Sequence, residues 1–358
     1  MAKQDDLQKE FVDKGLSFFK LHDRGYYNLA MRFGKCKTTL ELIDQLEGDQ
    51  CTIIIAYPDN KLKQTWKSEC ERWGYTNPNI TYVNFSSLKK YTDARFEFFV
   101  IDEFHSASPN EIDLAHQIMD NCNYTLGLSG TITNETKNEW DLEEIGSYTT
   151  EQGIDDGILA DYTISVHLID LDDNIRVKDK NGKLKTEKQK YAGYTWVIEK
   201  LKTEGKPFMF LALARNRLSL SSIGKMNYLK ALLNGMSDKR VVIFTGLSDV
   251  ADAIGIPSYH SKSKDDSAYT GFQNGEHNHL ALAAMGKMGV TYNNLDSVIL
   301  LNFTYNAEES SQILNRAIKL DYKGKVADLH ILCLNEKAEL KKIKESLSLL
   351  DQTKINYL

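Results

Sequence analysis

A chain of 358 residues, 42% of them hydrophobic and 26% charged, exceeds what one core ordinarily fills, so two domains of ordinary size are expected. This composition excludes a disordered or low-complexity protein, and no long repeat suggests a solenoid. A net charge of −6 excludes a protein that coats nucleic acid by bulk attraction, so any such contact must be confined to a locally basic groove.

The five cysteines, Cys36, Cys51, Cys70, Cys122 and Cys333, are scattered and lack the paired spacing of zinc or redox sites, as in a reducing cytosol. The N-terminus from Met1 to Asp6 is polar and opens no signal peptide, and no apolar run reaches membrane-spanning length. A soluble, cytoplasmic protein with no membrane partner is expected.

In chain order, Tyr26 to Met31 predicts a short strand. A loop, Arg32-Phe33-Gly34-Lys35-Cys36-Lys37-Thr38-Thr39, follows it, and Leu40, Leu42, Ile43 and Leu46 then give a helical pattern. Strand, tight loop and helix is the context in which backbone N–H groups and a helix N-terminus cradle phosphate. The full pattern Gly-x-x-x-x-Gly-Lys-Ser/Thr is met in neither of two registers. One puts Gly34-Lys35 in the key positions with Cys36 in place of the hydroxyl, and the other puts Lys37-Thr38 there with Cys36 in place of the glycine. The first is preferred, because only glycine lets a backbone approach phosphate closely, while a lost hydroxyl removes one magnesium ligand.

Cys51 to Pro58 reads as a strand capped by proline, and Leu62, Trp66 and Cys70 mark the next helix. Further strands are expected at Ile80 to Phe85, Phe96 to Ile101 and Tyr124 to Leu128. Strands alternating with helices imply a parallel sheet with its chemistry at the carboxyl edge. The segment Phe96 to Ile101 ends in Asp102-Glu103-Phe104-His105. Two adjacent carboxylates at a buried strand tip are costly unless a cation or a reaction sits there. The last ends in Ser129-Gly130-Thr131, a turn of small hydroxyl residues suited to relay between a nucleotide site and a polymer groove.

A domain boundary is expected near Ser147 to Gly153, giving domains 1–150 and 151–358. Thr163 to Leu171 alternates as a strand, and Arg176 to Lys190 reads as a basic hairpin insertion, near 172–200, turning at Asn181-Gly182. Helical patterns end at Tyr228 to Leu233. Strands are then expected at Arg240 to Thr245, Ser258 to His260, Leu280 to Ala284 and Ser297 to Leu301, making a second parallel sheet. Between the last two lies Met285-Gly286-Lys287-Met288-Gly289-Val290, whose glycines permit close backbone approach. A helix over Gln312 to Lys319 places Gln312, Arg316 and Lys319 on one face. His277 and His279 find no matching ligand cluster and read as a polar loop. The four tryptophans, Trp66, Trp73, Trp140 and Trp196, read as core or rim.

Taken together, these segments resemble a superfamily 2 helicase or translocase of the DExH type over nearly the whole chain. Arg32 to Cys36 is similar to motif I, Asp102 to His105 to motif II and Ser129 to Thr131 to motif III. Pro58 with Leu62 resembles motif Ia, Phe85 to Leu88 motif Ib, Phe244-Thr245 motif IV, Ala284 to Val290 motif V, and Gln312 to Lys319 motif VI. Gly153 to Tyr162 resembles the connector of restriction-type and phage branched-DNA helicases.

The resemblance implies an α/β fold of two RecA-like domains, each a mainly parallel sheet flanked by helices, with ATP and Mg2+ bound in the cleft between them. It implies that Asp102 holds magnesium, with Cys36 at the position of the second protein ligand, and that Glu103 orients or deprotonates the attacking water. Lys35 would bind phosphate, with Arg32, Phe33, Gly34, Cys36, Lys37, Thr38 and Gly289 around the nucleotide, and Gln8 would read adenine. Gln312, Arg316 and Lys319 would complete the site. Pro58, Leu62, Ser86, Ser87, Thr245, Ala284, Met285 and Gly286 would meet nucleic acid, and His105, Ser129 and Thr131 would couple the two sites. DNA is the expected partner, single-stranded or branched, with RNA as the alternative and a further protein supplying specificity. An ATP-dependent DNA helicase or translocase is the expected function; Cys36, Asn315 and Lys319 depart from the family pattern and motivate the alternative of a nucleic-acid-binding or assembly protein with a degenerate ATPase site, an RNA helicase being the other alternative.

Overall fold

The computed structural model describes residues 2–30, 33–48, 50–130, 132, 134–178, 182–283, 295–301, 326–348 and 350–358. They form two compact units, Met1–Leu159 and Ala160–Leu358.

The first unit runs α1 (Ala2–Phe18), β1 (Arg24–Leu29), α2 (Lys35–Glu47), β2 (Ile53–Tyr57), α3 (Asn60–Trp73), β3 (Ile80–Asn84), β4 (Phe96–Asp102), α4 (Pro109–Met119), β5 (Cys122–Ser129), α5 (Asn134–Glu139), β6 (Glu143–Tyr148) and α6 (Thr150–Asp155). Its six strands are ordered β3-β2-β4-β5-β1-β6, and every pairing is parallel. A parallel sheet must be covered on both faces, so its inner strands are apolar throughout rather than alternating. All five residues of β2, Ile-Ile-Ile-Ala-Tyr, are buried. Ile53, Ile55 and Tyr57 join the core beneath α1, α2 and α3, with Phe11, Leu40, Ile43 and Trp66. Ile54 and Ala56 point the other way, into the core beneath α4 with Ile112, Ala115 and Ile118.

The second unit runs β7 (Tyr162–Ile169), β8 (Arg176–Lys178), β9 (Leu184–Thr186), α7 (Glu187–Thr203), α8 (Met209–Leu220), α9 (Ile223–Asn234), β10 (Val241–Phe244), α10 (Ser248–Ala253), β11 (Ser258–Tyr259), α11 (Ser267–Asn274), β12 (His279–Leu282), β13 (Ser297–Leu300), β14 (Ala327–Leu334), α12 (Lys337–Ser346) and β15 (Ile355–Tyr357). Seven strands, ordered β11-β12-β10-β13-β14-β7-β15, again pair only in parallel, and β8 and β9 form a separate antiparallel ribbon. The ribbon lies where Arg176 to Lys190 predicts a hairpin; its turn at 179–181 is outside the described residues.

The units divide between Leu159 and Ala160 rather than near Ser147 to Gly153, because α6 stays with the first unit. Asp156 beyond its end accepts a hydrogen bond from Tyr148 Oη at 2.8 Å and pairs with Lys3 at 2.8 Å. Three strands not anticipated from the sequence, β6, β14 and β15, complete the sheets.

Inside the second sheet a chain of polar groups crosses from β7 to β14. Tyr228 Oη lies 2.8 Å from His167 Nδ1, His167 Nε2 lies 2.9 Å from His330 Nδ1, and His330 Nε2 lies 3.1 Å from Asp328 Oδ2. Burial, reinforced by the charge of His330, lowers His167 from 6.5 to about 4. Below pH 6.5 the unfolded chain therefore takes up a proton that the folded one refuses. The stability is fully present above 6.5 and is lost as pH falls toward about 4, by up to about 3 kcal/mol. Urea unfolding of the full chain between pH 7 and 4 should show this loss, and His167→Gln should remove about one proton from the slope. An identical slope in the variant would refute the assignment.

Candidate functional site

Each motif of the first unit sits at the carboxyl edge of its sheet. The chain leaves β1 at Leu29 and turns at Gly34, which has φ +97° and precedes α2. That conformation favours glycine, and space demands it as well: a Cβ here would lie 2.1 Å from Gln8 Nε2. The Gln8 and Gln4 side-chain amides of α1 both donate to the Phe33 carbonyl, at 2.6 and 3.2 Å. The buried Gln8 Oε1 has no hydrogen-bond partner. Phe33 is itself core, packed edge-on against Phe11. The Thr38 hydroxyl donates back to the Gly34 carbonyl at 3.3 Å. Arg32 lies outside the described residues.

Lys35, the first residue of α2, reaches over β5 to the end of β4, where its Nζ lies 2.9 Å from Glu103 Oε1. Gly130 leaves room beside that path, since a Cβ there would lie 3.1 Å from the Leu29 carbonyl and 4.0 Å from Lys35 Nζ. Lys37 turns elsewhere: its Nζ pairs with Asp5 at 2.7 Å and lies 4.5 Å from the Trp73 ring centroid. Of the two loop registers, the one centred on Lys35 thus points to the acidic pair.

Asp102 closes β4, is buried, and accepts a hydrogen bond from Trp66 Nε1 at 2.9 Å. Trp66 was expected only as core or rim. Its indole contact with the candidate site is announced by no local pattern, because it arises where α3 packs across the sheet. Burial pushes the Asp102 carboxyl up to about 6, against the pull of Lys35. Burial likewise opposes charge on Lys35, but the Glu103 and Asp102 carboxylates outweigh it and hold the ammonium above its ordinary range.

Glu103 has φ 54° and ψ 45°, and among the described residues it is the one non-glycine with positive φ. Such a conformation costs on the order of 1–3 kcal/mol and persists only where the surroundings enforce it. Its other oxygen lies 3.6 Å from His105 Nδ1, and that nitrogen lies 2.8 Å from Ser129 Oγ at the end of β5. The acidic pair is thereby joined to the Ser129-Gly130 turn; Thr131 lies outside the described residues.

Cys36, expected at the second metal-ligand position, is a poor ligand there. Burial and the neighbouring Asp102 raise its thiol well above the ordinary range, and a neutral, soft thiol suits a hard cation badly. Asp102 is left as the carboxylate able to hold magnesium, and one or two carboxylates are what such sites use beside phosphate and water. Among the described residues no group of three or more His, Cys, Asp or Glu side chains forms a metal cage.

The residues expected to meet nucleic acid are differently placed. Ser86 and Ser87 line a polar depression of about 420 Å³ at the ends of β2 and β3, together with Asn60, Lys63, Asn84 and Lys90. Pro58 braces that edge, its carbonyl accepting from Asn84 Nδ2 at 2.9 Å, while Leu62 packs on the core. Thr245 is fully buried, with its hydroxyl donating to the Leu247 carbonyl at 2.8 Å. Ala284, Met285, Gly286, Gly289, Gln312, Arg316 and Lys319 lie outside the described residues. His277 and His279 are each bonded to a backbone carbonyl, of Ala268 at 2.8 Å and Met236 at 2.9 Å.

No protein-family model and no curated protein sequence matches the chain. Solved structures do. One is an ATP-dependent type ISP restriction-modification enzyme, LlaBIII, bound to DNA, with TM-score 0.60 and 14% identity over 98% of this chain and 31% of that one. This chain thus spans under a third of that enzyme. Another is the Hef helicase domain of Pyrococcus furiosus, with TM-score 0.54 and 12% identity over 96% of this chain and 97% of that one. The fold is helicase-like, two RecA-like domains that are each a parallel sheet flanked by helices. No helix among the described residues is long and apolar enough to cross a membrane.

Replacing Gly34 by alanine should cost about 1–3 kcal/mol of stability through backbone strain and displacement of Gln8. Part of that cost should vanish in a Gln8→Ala background, which removes the collision. Thermal unfolding of the four chains in the double-mutant cycle measures the coupling, and strictly additive costs would show that Gln8 does not pack on this turn.

Proposed function

We propose that the chain is an ATP-dependent DNA helicase or translocase, in which nucleotide hydrolysis drives movement on, or remodelling of, a DNA strand. The observation that carries this reading is the convergence of Lys35, Glu103 and Asp102 at the carboxyl edge of one parallel sheet, beside the N-terminus of α2. A lysine, two carboxylates and a helix N-terminus in that arrangement are a phosphate and magnesium site.

The residues divide the work. Lys35 exchanges the Glu103 carboxylate for the β and γ phosphates, helped by the backbone N–H groups that open α2. Asp102, its orientation fixed by the Trp66 indole, would hold magnesium, which would supply neutralisation of charge developing on the phosphate oxygens. Glu103, released from Lys35, orients the attacking water and accepts its proton. The unpartnered Gln8 Oε1 is an acceptor suited to the exocyclic amine of adenine, and its amide is already anchored on the Phe33 carbonyl. The His105–Ser129 contact gives a route by which phosphate occupancy reaches the neighbouring strand end.

DNA is preferred as partner because one structural relative was solved bound to it, and the depression holding Lys63, Lys90, Ser86 and Ser87 has the chemistry of a backbone-phosphate groove. Backbone contacts of this kind discriminate poorly between DNA and RNA, so matched strands of both belong in the test.

ATP hydrolysis measured with and without single-stranded DNA should be stimulated by the strand. Glu103→Gln should lower the stimulated rate by about 10²-fold or more while retaining nucleotide binding, and Lys35→Ala should lose that binding. Equal residual rates for wild type and Glu103→Gln, with and without DNA, would overturn the proposal. DNA binding indifferent to ATP analogues would indicate an assembly protein with a degenerate site.

A further inference from the structure

Six of the large apolar side chains that the described residues expose lie between positions 175 and 213: Ile175, Leu184, Trp196, Met209, Phe210 and Leu213. Four belong to the antiparallel pair α7 and α8. There Phe210 is 89% exposed, Met209 65%, Trp196 64% and Leu213 57%. A lone exposed leucine means nothing, but a cluster on one element marks an interaction surface.

This face is built rather than frayed. Thr186 caps α7 through a reciprocal box, its Oγ1 accepting from Gln189 N and its N donating to Gln189 Oε1, both at 3.2 Å. Arg215 of α8 donates to Thr195 of α7 at 3.2 Å, locking the two helices together. Yet α8 buries only Ser219 and Leu220, at its C-terminal end. Met209, Phe210 and Leu213 sit at i, i+1 and i+4, on one side of the helix. Within the run of six apolar residues from Met209 to Ala214, the helix thus holds three, Met209, Phe210 and Leu213, out in solvent.

Charge narrows what fits it. Residues 187–220 carry seven lysines and arginines against three glutamates, in a chain of net charge −6. A second copy would bring two positive surfaces together. Base stacking has one open ring to use, that of Phe210, because Lys200 Nζ lies 5.6 Å from the Trp196 ring centroid. Met209 and Leu213 offer no ring at all. What remains is a protein segment that is apolar on one face and acidic on its flanks. In the longer structural relative, the matched fold is 31% of a larger chain, so there this fold does operate alongside further protein.

We propose that the α7–α8 face docks an acidic amphipathic helix of a partner protein. The idea stands apart from nucleotide chemistry, and neither depends on the other. It is tested on the full chain with a fluorescein-labelled 18-residue helical peptide carrying leucine and phenylalanine on one face and glutamate on the other. Lysine replaces glutamate in the control peptide. Anisotropy should show saturable binding of the acidic peptide, weakened at least about tenfold by the lysine face, and likewise by Phe210→Asp with Leu213→Asp or by Lys200→Glu with Lys206→Glu. Because these side chains are exposed, the variants should keep the thermal midpoint of the wild type.

Four results would overturn the proposal: no saturable binding of the acidic peptide, equal binding of the two peptides, a concentration-dependent dimer in sedimentation that Phe210→Asp abolishes, or a lowered midpoint in the aspartate variants, showing that the chain itself covers the face. Binding of phosphatidylserine vesicles or of an oligothymidine strand that is tighter than that of the acidic peptide and is lost in Phe210→Asp with Leu213→Asp would reassign the surface to lipid or nucleic acid.

Discussion

The ion pair between Lys35 and Glu103 is the constraint around which the first unit is arranged. Its partners leave the ends of β1 and β4, and β5 lies between those strands. The 2.9 Å contact is therefore possible only if the parallel order is kept, if the turn at Gly34 starts α2 pointing along the sheet edge, and if Gly130 leaves the path clear. Each condition is costly alone: burying ions sacrifices solvation, and Glu103 is held in a left-handed conformation. The sheet absorbs these costs because its two cores fix both strand ends independently of the pair.

What the sequence discloses follows from how many neighbours each segment has. Inner strands such as β2, buried on both faces, give unbroken apolar runs and are visible. The edge strand β6, Glu-Glu-Ile-Gly-Ser-Tyr, buries only Tyr148 and gives no pattern. The loop between β1 and α2 shows the same limit. Its residues admitted two registers, and only the packing of α2 separates them, because Lys37 is rotated by about 200° from Lys35 about the helix axis. That rotation sends one ammonium to the acidic pair and the other to Asp5 and Trp73. The carboxylates at 102 and 103 were legible as a charge problem. The strained backbone and the indole that resolve it belong to the tertiary structure.

The resemblance to a restriction-modification enzyme and a helicase domain at 12–14% identity is a resemblance of frameworks. Two parallel sheets can be conserved in shape while nearly every side chain changes, because the sheet demands only apolar residues of suitable volume. Function must then be argued from groups that the framework does not require. The left-handed Glu103, the buried Asp102 and the unpartnered Gln8 Oε1 are such groups, since each would be more stable replaced by something simpler. So is the apolar face of α8, which a free-standing fold would make polar.

The partner chosen for Asp102 shows how such a group is maintained. A buried carboxylate could be steadied by a second cation, but that would cancel the charge on which the proposed magnesium binding depends. Trp66 supplies one N–H donor and no formal charge, holding Oδ2 at 2.9 Å without neutralising the carboxylate. The indole is also fully buried under α3, so the same side chain that closes the core sets the angle of the carboxylate. Stability and site geometry are thereby linked through a single residue. A substitution that preserved only the volume of Trp66 would keep the core and release Asp102.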